Sequence, residues 1–315
     1  MPGGQRERVG ILGAGAFGRA LARVALRRGT EVVLWSRRED VQLPAGVVRA
    51  ADLAGVAEAR LLFLCVPAAH MRPLLRALGD VAHGGHLMVH AARGLGPGGE
   101  PVSAMVREET PIRRVGVLAG PLVPGELEAA MPSAIVVASR YPEVPVAARA
   151  ALAQDELRVY GSDDLAGVEL AAALMTVIAL AAGVAAGLGG GISTRALVVT
   201  RGIAQAARIL EALGARARTL AGLGGVGEVF VTAAGMESPD YDLGVKLAQG
   251  MSLEAGLAAL GRSAEGPEVA RQVAALCRDK GVTAPIFSGV AALVAGERTL
   301  RDGVKVLIGG PALNE

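Results

Sequence analysis

The stretch VGILGAGAFGRALARVALRRGTEVVLWSRR, residues 9–38, decides how the rest of the chain is read. A short apolar run, Val9 to Leu12, breaks into Gly13-Ala14-Gly15-Ala16-Phe17-Gly18, continues at helical spacing to Arg28, turns at Gly29 and becomes strand-like again from Val32. The glycines fall where a nucleotide-binding turn needs them. Gly13 suits the tight turn, Gly15 lets backbone approach a pyrophosphate, and Gly18 lets the helix pack closely on the strand. Phosphates would rest on the free amides around Ala16 and Phe17 at the helix start, favoured also by the helix dipole. A glycine-rich turn without a ligand is the plainer alternative. The strand before, the helix after and the second strand in register favour a dinucleotide.

The end of the second strand bears on which dinucleotide. An acidic residue about 20 positions beyond the glycines would hold the 2′-hydroxyl of NAD. Here the strand ends Trp35-Ser36-Arg37-Arg38. Guanidiniums after a serine suit a 2′-phosphate or stacking on adenine, and a solvated surface pair is the plainer alternative, so NADP and NAD both stay open.

A chain of 315 residues is long enough for two domains. Its net charge of +2, without a long basic run, points away from nucleic acid. Cys65 and Cys277 lie far apart and lack metal-ligand spacing, which excludes a disulfide framework and suits a reducing cytoplasm. The N-terminal MPGGQRERV and the apolar residues after it imitate a signal peptide, but Arg19 and Arg23 interrupt the run. Leu170 to Ile192 is uncharged over 23 residues, long enough for a bilayer. Its alanine and glycine content, with no aromatic belt, reads instead as a buried helix at the centre of a helical domain, so no membrane span is expected.

Further along, Leu61 to Val66, His86 to Ala91, Val115 to Ala119, Ser133 to Ser139 and Leu157 to Tyr160 read as strands. Helices alternate with them over Ala69 to Gly79, Pro101 to Glu108 and Pro142 to Gln154. This alternation predicts an α/β, doubly wound N-terminal sheet. The composition changes at Gly161-Ser162-Asp163-Asp164, whose short polar side chains can cap a helix. Beyond it the spacing is helical: Asp164 to Leu188, Thr194 to Leu213, Arg216 to Leu223, Ser252 to Leu260, Gly266 to Lys280 and Pro285 to Ala295. The expected domains are therefore 1–162, binding dinucleotide, and 163–315, all-helical and binding substrate.

From about Val9 to about Leu307 the chain resembles the NAD(P)-dependent glycerol-3-phosphate dehydrogenases. The resemblance is carried by the glycine turn with Leu34-Trp35-Ser36-Arg37, Cys65-Val66-Pro67, Ala91-Ala92-Arg93-Gly94-Leu95, Gly120-Pro121, Val168-Glu169-Leu170, Val177-Ile178-Ala179, Thr200-Arg201-Gly202, Gly222 to Glu228, and Glu265-Gly266. It implies a nicotinamide cofactor, NADP or NAD, held by Gly13, Gly15, Ala16, Phe17, Gly18, Arg37, Arg93, Pro124 and Glu265. It also implies a small-molecule substrate near Arg93, Gly120, Met175, Ser238 and Asp240, and a homodimer.

Departures collect at the substrate positions. By resemblance, Met175 stands where the family has a catalytic lysine, Arg93 where it has a second lysine, Leu122 where it has a serine, and Glu228 where it has an aspartate. Ser238-Pro239-Asp240 stands for the family's Ser-Arg-Asn. A thioether carries no proton, and a guanidinium effectively never releases one. Losing a general acid or base typically costs ~10² to 10⁴ in rate, so turnover of glycerol 3-phosphate is expected to be weak or the substrate altered. His90, ending a strand before the Arg93 loop, and Glu228 with Thr232, four apart on one helical face, are the candidate catalytic groups beside Arg93. Glu228 is expected to lack a cationic partner, and Asp240 to repel a phosphate. Lys246 and Arg201 read as solvated and structural, and His70, His83 and His86 as surface residues. The rival reading is a catalytically silent nucleotide-binding protein that senses cofactor or acts through a partner.

Overall fold

The computed structural model of the chain describes residues 8–235 and 238–297. Most of the N-terminal stretch read against a signal peptide, and the 298–307 end of the family resemblance, lie outside the described residues. Two compact units divide the described chain: residues 8–92 and 100–169 form the first, 93–99 and 170–297 the second.

The first unit runs β1 (Arg8–Leu12), α1 (Ala16–Arg27), β2 (Glu31–Trp35), β3 (Val48–Arg49), α2 (Leu53–Ala57), β4 (Leu61–Leu64), α3 (Met71–Gly79), β5 (Leu87–His90), α4 (Val102–Glu109), β6 (Arg114–Ala119), α5 (Pro124–Glu128), β7 (Ser133–Ser139), α6 (Glu143–Leu152) and β8 (Leu157–Ser162). The strands form one sheet in the order β3-β2-β1-β4-β5-β6-β7-β8, parallel except where β6 meets β7. Continuous apolar runs such as Leu61-Leu62-Phe63-Leu64 arise because both faces are covered. Ile11, Leu34, Phe63 and Val89 pack on one face with Leu21 and Val24 of α1 and Val144 and Ala148 of α6. Leu12, Leu62, Leu64 and Met88 pack on the other with Val56 of α2, Leu75 and Leu78 of α3 and Met105 of α4.

In the second unit the order is α7 (Leu165–Gly187, its first turn counted with the sheet), α8 (Ile192–Ala212), a 3₁₀ turn (Ala217–Ala221), a π-helical turn (Leu223–Gly227), α9 (Glu228–Ala233), α10 (Pro239–Ala248), α11 (Leu253–Leu260), α12 (Gly266–Lys280) and α13 (Pro285–Val294). Asp164 starts α7 as its short side chain suggested, Oδ1 accepting from the Gly167 N–H at 3.1 Å. Among the described residues α7 is the one helix long and apolar enough to cross a bilayer, and 89 % of its apolar window is buried. Glycine lets its neighbours come close. A Cβ on Gly244 of α10 would fall 2.2 Å from the Leu180 carbonyl oxygen, and one on Gly202 of α8 2.8 Å from the Ile178 side chain. Gly244→Ala is therefore expected to destabilise the chain by about 1–3 kcal/mol, read as a lower urea midpoint, because backbone must move to admit one methyl.

Two sequence expectations are corrected. Arg216 to Leu223 is no regular helix: glycines at 222, 224, 225 and 227 lower helix propensity and let the chain double back, a Cβ at Gly225 falling 2.2 Å from the Leu220 carbonyl oxygen. His86 is no surface residue: it is fully buried, with Nε2 2.7 Å from the Ala57 carbonyl oxygen and Nδ1 at the His83 backbone, so it ties α2 to the turn before β5. His70 and His83 are exposed as expected.

Candidate functional site

In the first unit the β1–α1 turn has the geometry its glycines promised. Gly13 has φ +114°, and a Cβ there would lie 2.4 Å from the Cys65 carbonyl oxygen. Gly18 packs so tightly that its Cβ would sit 2.1 Å from the Gly13 carbonyl oxygen. Gly15 differs, since a Cβ there would meet nothing within 4 Å. Gly15 is also the N-cap of α1, and no side chain caps that helix. The Arg19 guanidinium braces the turn from behind by donating to the Ala14 carbonyl at 2.9 Å. A turn closed on its inner side, open at Gly15 and backed by an uncapped helix start fits a pyrophosphate. Ala16 is exposed and Phe17 half-buried at this rim. At the end of β2 the Ser36 hydroxyl accepts from the Arg38 N–H at 3.2 Å, and the Arg37 side chain is exposed.

Other first-unit candidates lie at strand ends or in the core. Gly120 follows β6 with φ +143°, Pro124 opens α5, and Leu122 is buried in the core. His90 ends β5, paired in register with Leu64 and Val117, and is 0 % exposed. Its Nε2 lies within ion-pair distance of Glu169 Oε1, at 3.2 Å, while neither ring nitrogen makes a well-directed hydrogen bond among the described residues. Glu169 is held further by the Ser103 N–H on Oε1 and the Ser103 hydroxyl on Oε2, both at 2.7 Å. Burial by itself would raise the Glu169 carboxyl, but the His90 imidazole and the two Ser103 donors outweigh it and hold the group below its ordinary 4.5. A carboxyl depressed in the folded state contributes stability that is complete above its unfolded value and is lost as pH falls through the folded one. The stability gap between wild type and Glu169→Gln should therefore be about 1–3 kcal/mol near pH 6 and shrink well below pH 4.5, as urea unfolding at several pH values would show.

The second unit collects most of the remaining candidates around residue 93. The Arg93 guanidinium lies 2.9 Å from Glu228 Oε1, and its backbone N–H donates to Glu265 Oε2 at 2.9 Å. Glu228 therefore does not stand without a cationic partner: in place of an ammonium from α7, the fold brings in a guanidinium from the loop after β5. The Glu228 side chain is 2 % exposed and that of Arg93 31 %. Thr232 turns its hydroxyl back to the Glu228 carbonyl at 2.9 Å, satisfying its own backbone turn. Ser238 caps α10 by accepting from the Tyr241 N–H at 3.3 Å, with Pro239 in the first turn, where its missing N–H costs nothing. Asp240 accepts from the Gly266 N–H at 2.7 Å. Burial above all raises its carboxyl to about 7, with the Glu265 carboxylate adding to this and the Gly266 and Glu265 N–H groups and Arg93 opposing it. At neutral pH it thus carries only part of the negative charge its sequence position suggested. Met175 is 1 % exposed on α7, and Lys246 is half-buried on α10.

Sequence reading missed Glu169 and Ser103 as a pair and Arg19 as a brace. Ser103 and Glu169 are 66 positions apart, so no spacing rule joins them. The one hint is that Glu169 is a charge directly preceding the uncharged run from Leu170, where a buried acid needs partners.

A doubly wound sheet with this turn, followed by a helical unit carrying an arginine–carboxylate cluster, defines a dinucleotide-binding protein of the two-unit dehydrogenase class. Residues 8–144 match the N-terminal domain, and 164–305 the C-terminal domain, described as NAD-dependent glycerol-3-phosphate dehydrogenase, and the chain belongs to that family. A relative from Caulobacter vibrioides, "Glycerol-3-phosphate dehydrogenase [NAD(P)+]", is 35 % identical over 323 residues, covering 97 % of this chain and 98 % of its own. One of the same description from Parvibaculum lavamentivorans is 34 % identical over 327 residues, covering 98 % of each chain. The crystal structure of glycerol-3-phosphate dehydrogenase from Coxiella burnetii superposes with a TM-score of 0.90 at 26 % identity, covering 97 % of this chain and 99 % of that one.

Proposed function

We propose that this chain is an NAD(P)-dependent oxidoreductase that moves a hydride between a nicotinamide and a small CH–OH or carbonyl compound. Glycerol 3-phosphate and dihydroxyacetone phosphate are the pair its relatives' names suggest. The observation that carries the reading is the β1–α1 turn, open at Gly15 and otherwise closed by backbone. When bound, the cofactor supplies or takes the hydride. Gly13, Gly15, Ala16, Phe17 and Gly18 would hold its pyrophosphate, and Arg37, Pro124 and Glu265 would be further cofactor-binding residues. Arg37 would serve either NADP, by its 2′-phosphate, or NAD, by stacking on adenine.

Arg93 polarises the substrate oxygen, and Glu228 orients that guanidinium. A proton must still reach the oxygen when hydride reaches carbon. His90 and Glu228 are the groups that would handle it, within a substrate region that also includes Gly120, Met175, Ser238, Thr232 and Asp240. A silent cofactor-binding role has one specific support, namely Met175, buried and without a proton to give. Following absorbance of NADPH and NADH with dihydroxyacetone phosphate and a panel of other small carbonyl compounds separates the readings. Cofactor binding with no oxidation on any substrate overturns the enzyme; oxidation that survives both His90→Gln and Glu228→Gln overturns the proton assignment. A cytoplasmic homodimer belongs to the same proposal, and light scattering that returns a monomer mass removes that part.

A further inference from the structure

We propose that Asp240 is a specificity-determining residue: a carboxylate built into the N-terminus of α12 beside Arg93, which weakens the hold of that arginine on oxyanion ligands. The inference rests on Arg93 belonging to the substrate site proposed above.

Free amides at a helix start attract an anion, and the dipole adds to the attraction. At α12 the protein supplies that anion itself, since the Gly266 N–H donates to Asp240 Oδ1 at 2.7 Å. The approach is possible only at glycine, because a Cβ on residue 266 would lie 2.7 Å from that oxygen and 3.1 Å from the Thr176 carbonyl oxygen. Asp240 also sits in the first turn of its own helix, α10, whose cap is Ser238. The start of α12 is therefore met by a carboxylate from the first turn of α10, a residue 7 % exposed and little screened by water.

The charged groups acting on it are Glu265 at the start of α12 and Arg93, whose guanidinium is paired with Glu228 of α9. On α10 itself Asp242 is engaged by Arg262 of the segment after α11, and Lys246 lies further along. Arg195 of α8 bonds the Tyr241 hydroxyl. Before any ligand arrives, Arg93 meets Glu228 through its guanidinium and Glu265 through its backbone N–H, and Asp240 is a third carboxylate acting on it through space. Because burial raises the Asp240 carboxyl to about 7, the third of these charges switches on as pH rises through neutrality. Below that point Arg93 is freer to hold an oxyanion; above it, Asp240 opposes one.

Sulfate is the probe, since its charge is constant across the range and its binding needs no turnover. Calorimetric titration of the full chain should show sulfate binding roughly tenfold weaker at about pH 8.5 than at about pH 6. Asp240→Asn keeps an acceptor for Gly266 and should bind with little pH dependence, roughly tenfold tighter than wild type at about pH 8.5. The Arg93→Met, Glu228→Gln double variant, in which neither charge is stranded, should lose the pH-dependent binding. A wild-type affinity indifferent to pH overturns the proposal, as does an Asp240→Asn protein with the wild-type profile. The wild-type profile decides even if the variant fails to fold. NADPH binding, followed separately by fluorescence, reports on the proposed function and not on Asp240.

Discussion

Gly15→Val is expected to leave the melting temperature of the chain unchanged within error while weakening NAD(P)H binding roughly a hundredfold or more. The separation follows from where a side chain at residue 15 would go. The backbone there, at φ −64° and ψ 174°, is open to any L-residue, and a Cβ would touch nothing within 4 Å. The folded protein has no objection to valine at this position. A pyrophosphate would, because it must come against the uncapped start of α1 through that same space. Gly13→Ala provides the contrast. At φ +114°, with its Cβ 2.4 Å from the Cys65 carbonyl oxygen, it should lose stability and binding together. Fluorescence titration with NADPH and NADH alongside thermal melting checks both. A Gly15→Val protein that binds cofactor like wild type would show that the open side of the turn is not where phosphate sits.

Arg93→Met should cost roughly 2–3 kcal/mol of stability and about 10²-fold or more in turnover. Its partner Glu228 has a side chain only 2 % exposed, and removing the guanidinium takes away the cation 2.9 Å from a nearly dry carboxylate. Breaking a fully buried pair costs about 3–5 kcal/mol. The 31 % exposure of Arg93 lowers the figure, since water reaches one side of the pair. Arg93→Met combined with Glu228→Gln should recover most of the stability, because no ionised group is then left stranded, but none of the turnover. Chemical denaturation of the single and double variants beside steady-state assays makes this a double-mutant cycle. Stability recovered together with activity would mean that Arg93 serves only the fold.

How much of this was readable from residues alone depends on the distance over which each feature is built. The glycine turn, the buried parallel strands and the helical second half are local patterns: period, glycine placement and capping residues act within one or two turns of chain. Residues 9–38 by themselves therefore fixed the class of fold and pointed to the turn at which a nucleotide is proposed to sit. Leu165–Gly187, ambiguous between bilayer and protein interior by composition, was decided by packing, with glycines on α8 and α10 letting those helices press against it. His86 looked like a turn residue and is a buried tie, because the carbonyl it bonds lies 29 positions away.

The chemistry of the candidate site was less legible, and for the same reason. Sequence showed that Met175 carries no proton and that Glu228 had lost its expected neighbour, but it could not show that Arg93, 135 positions earlier, comes to within 2.9 Å of that carboxylate. Nor could it show that Asp240 is buried at the start of α12, 26 positions onward, where loss of water raises its carboxyl to about 7. Charge in a sequence is a formal count. The charge a group bears in the protein depends on solvent and on neighbours that only tertiary folding assembles.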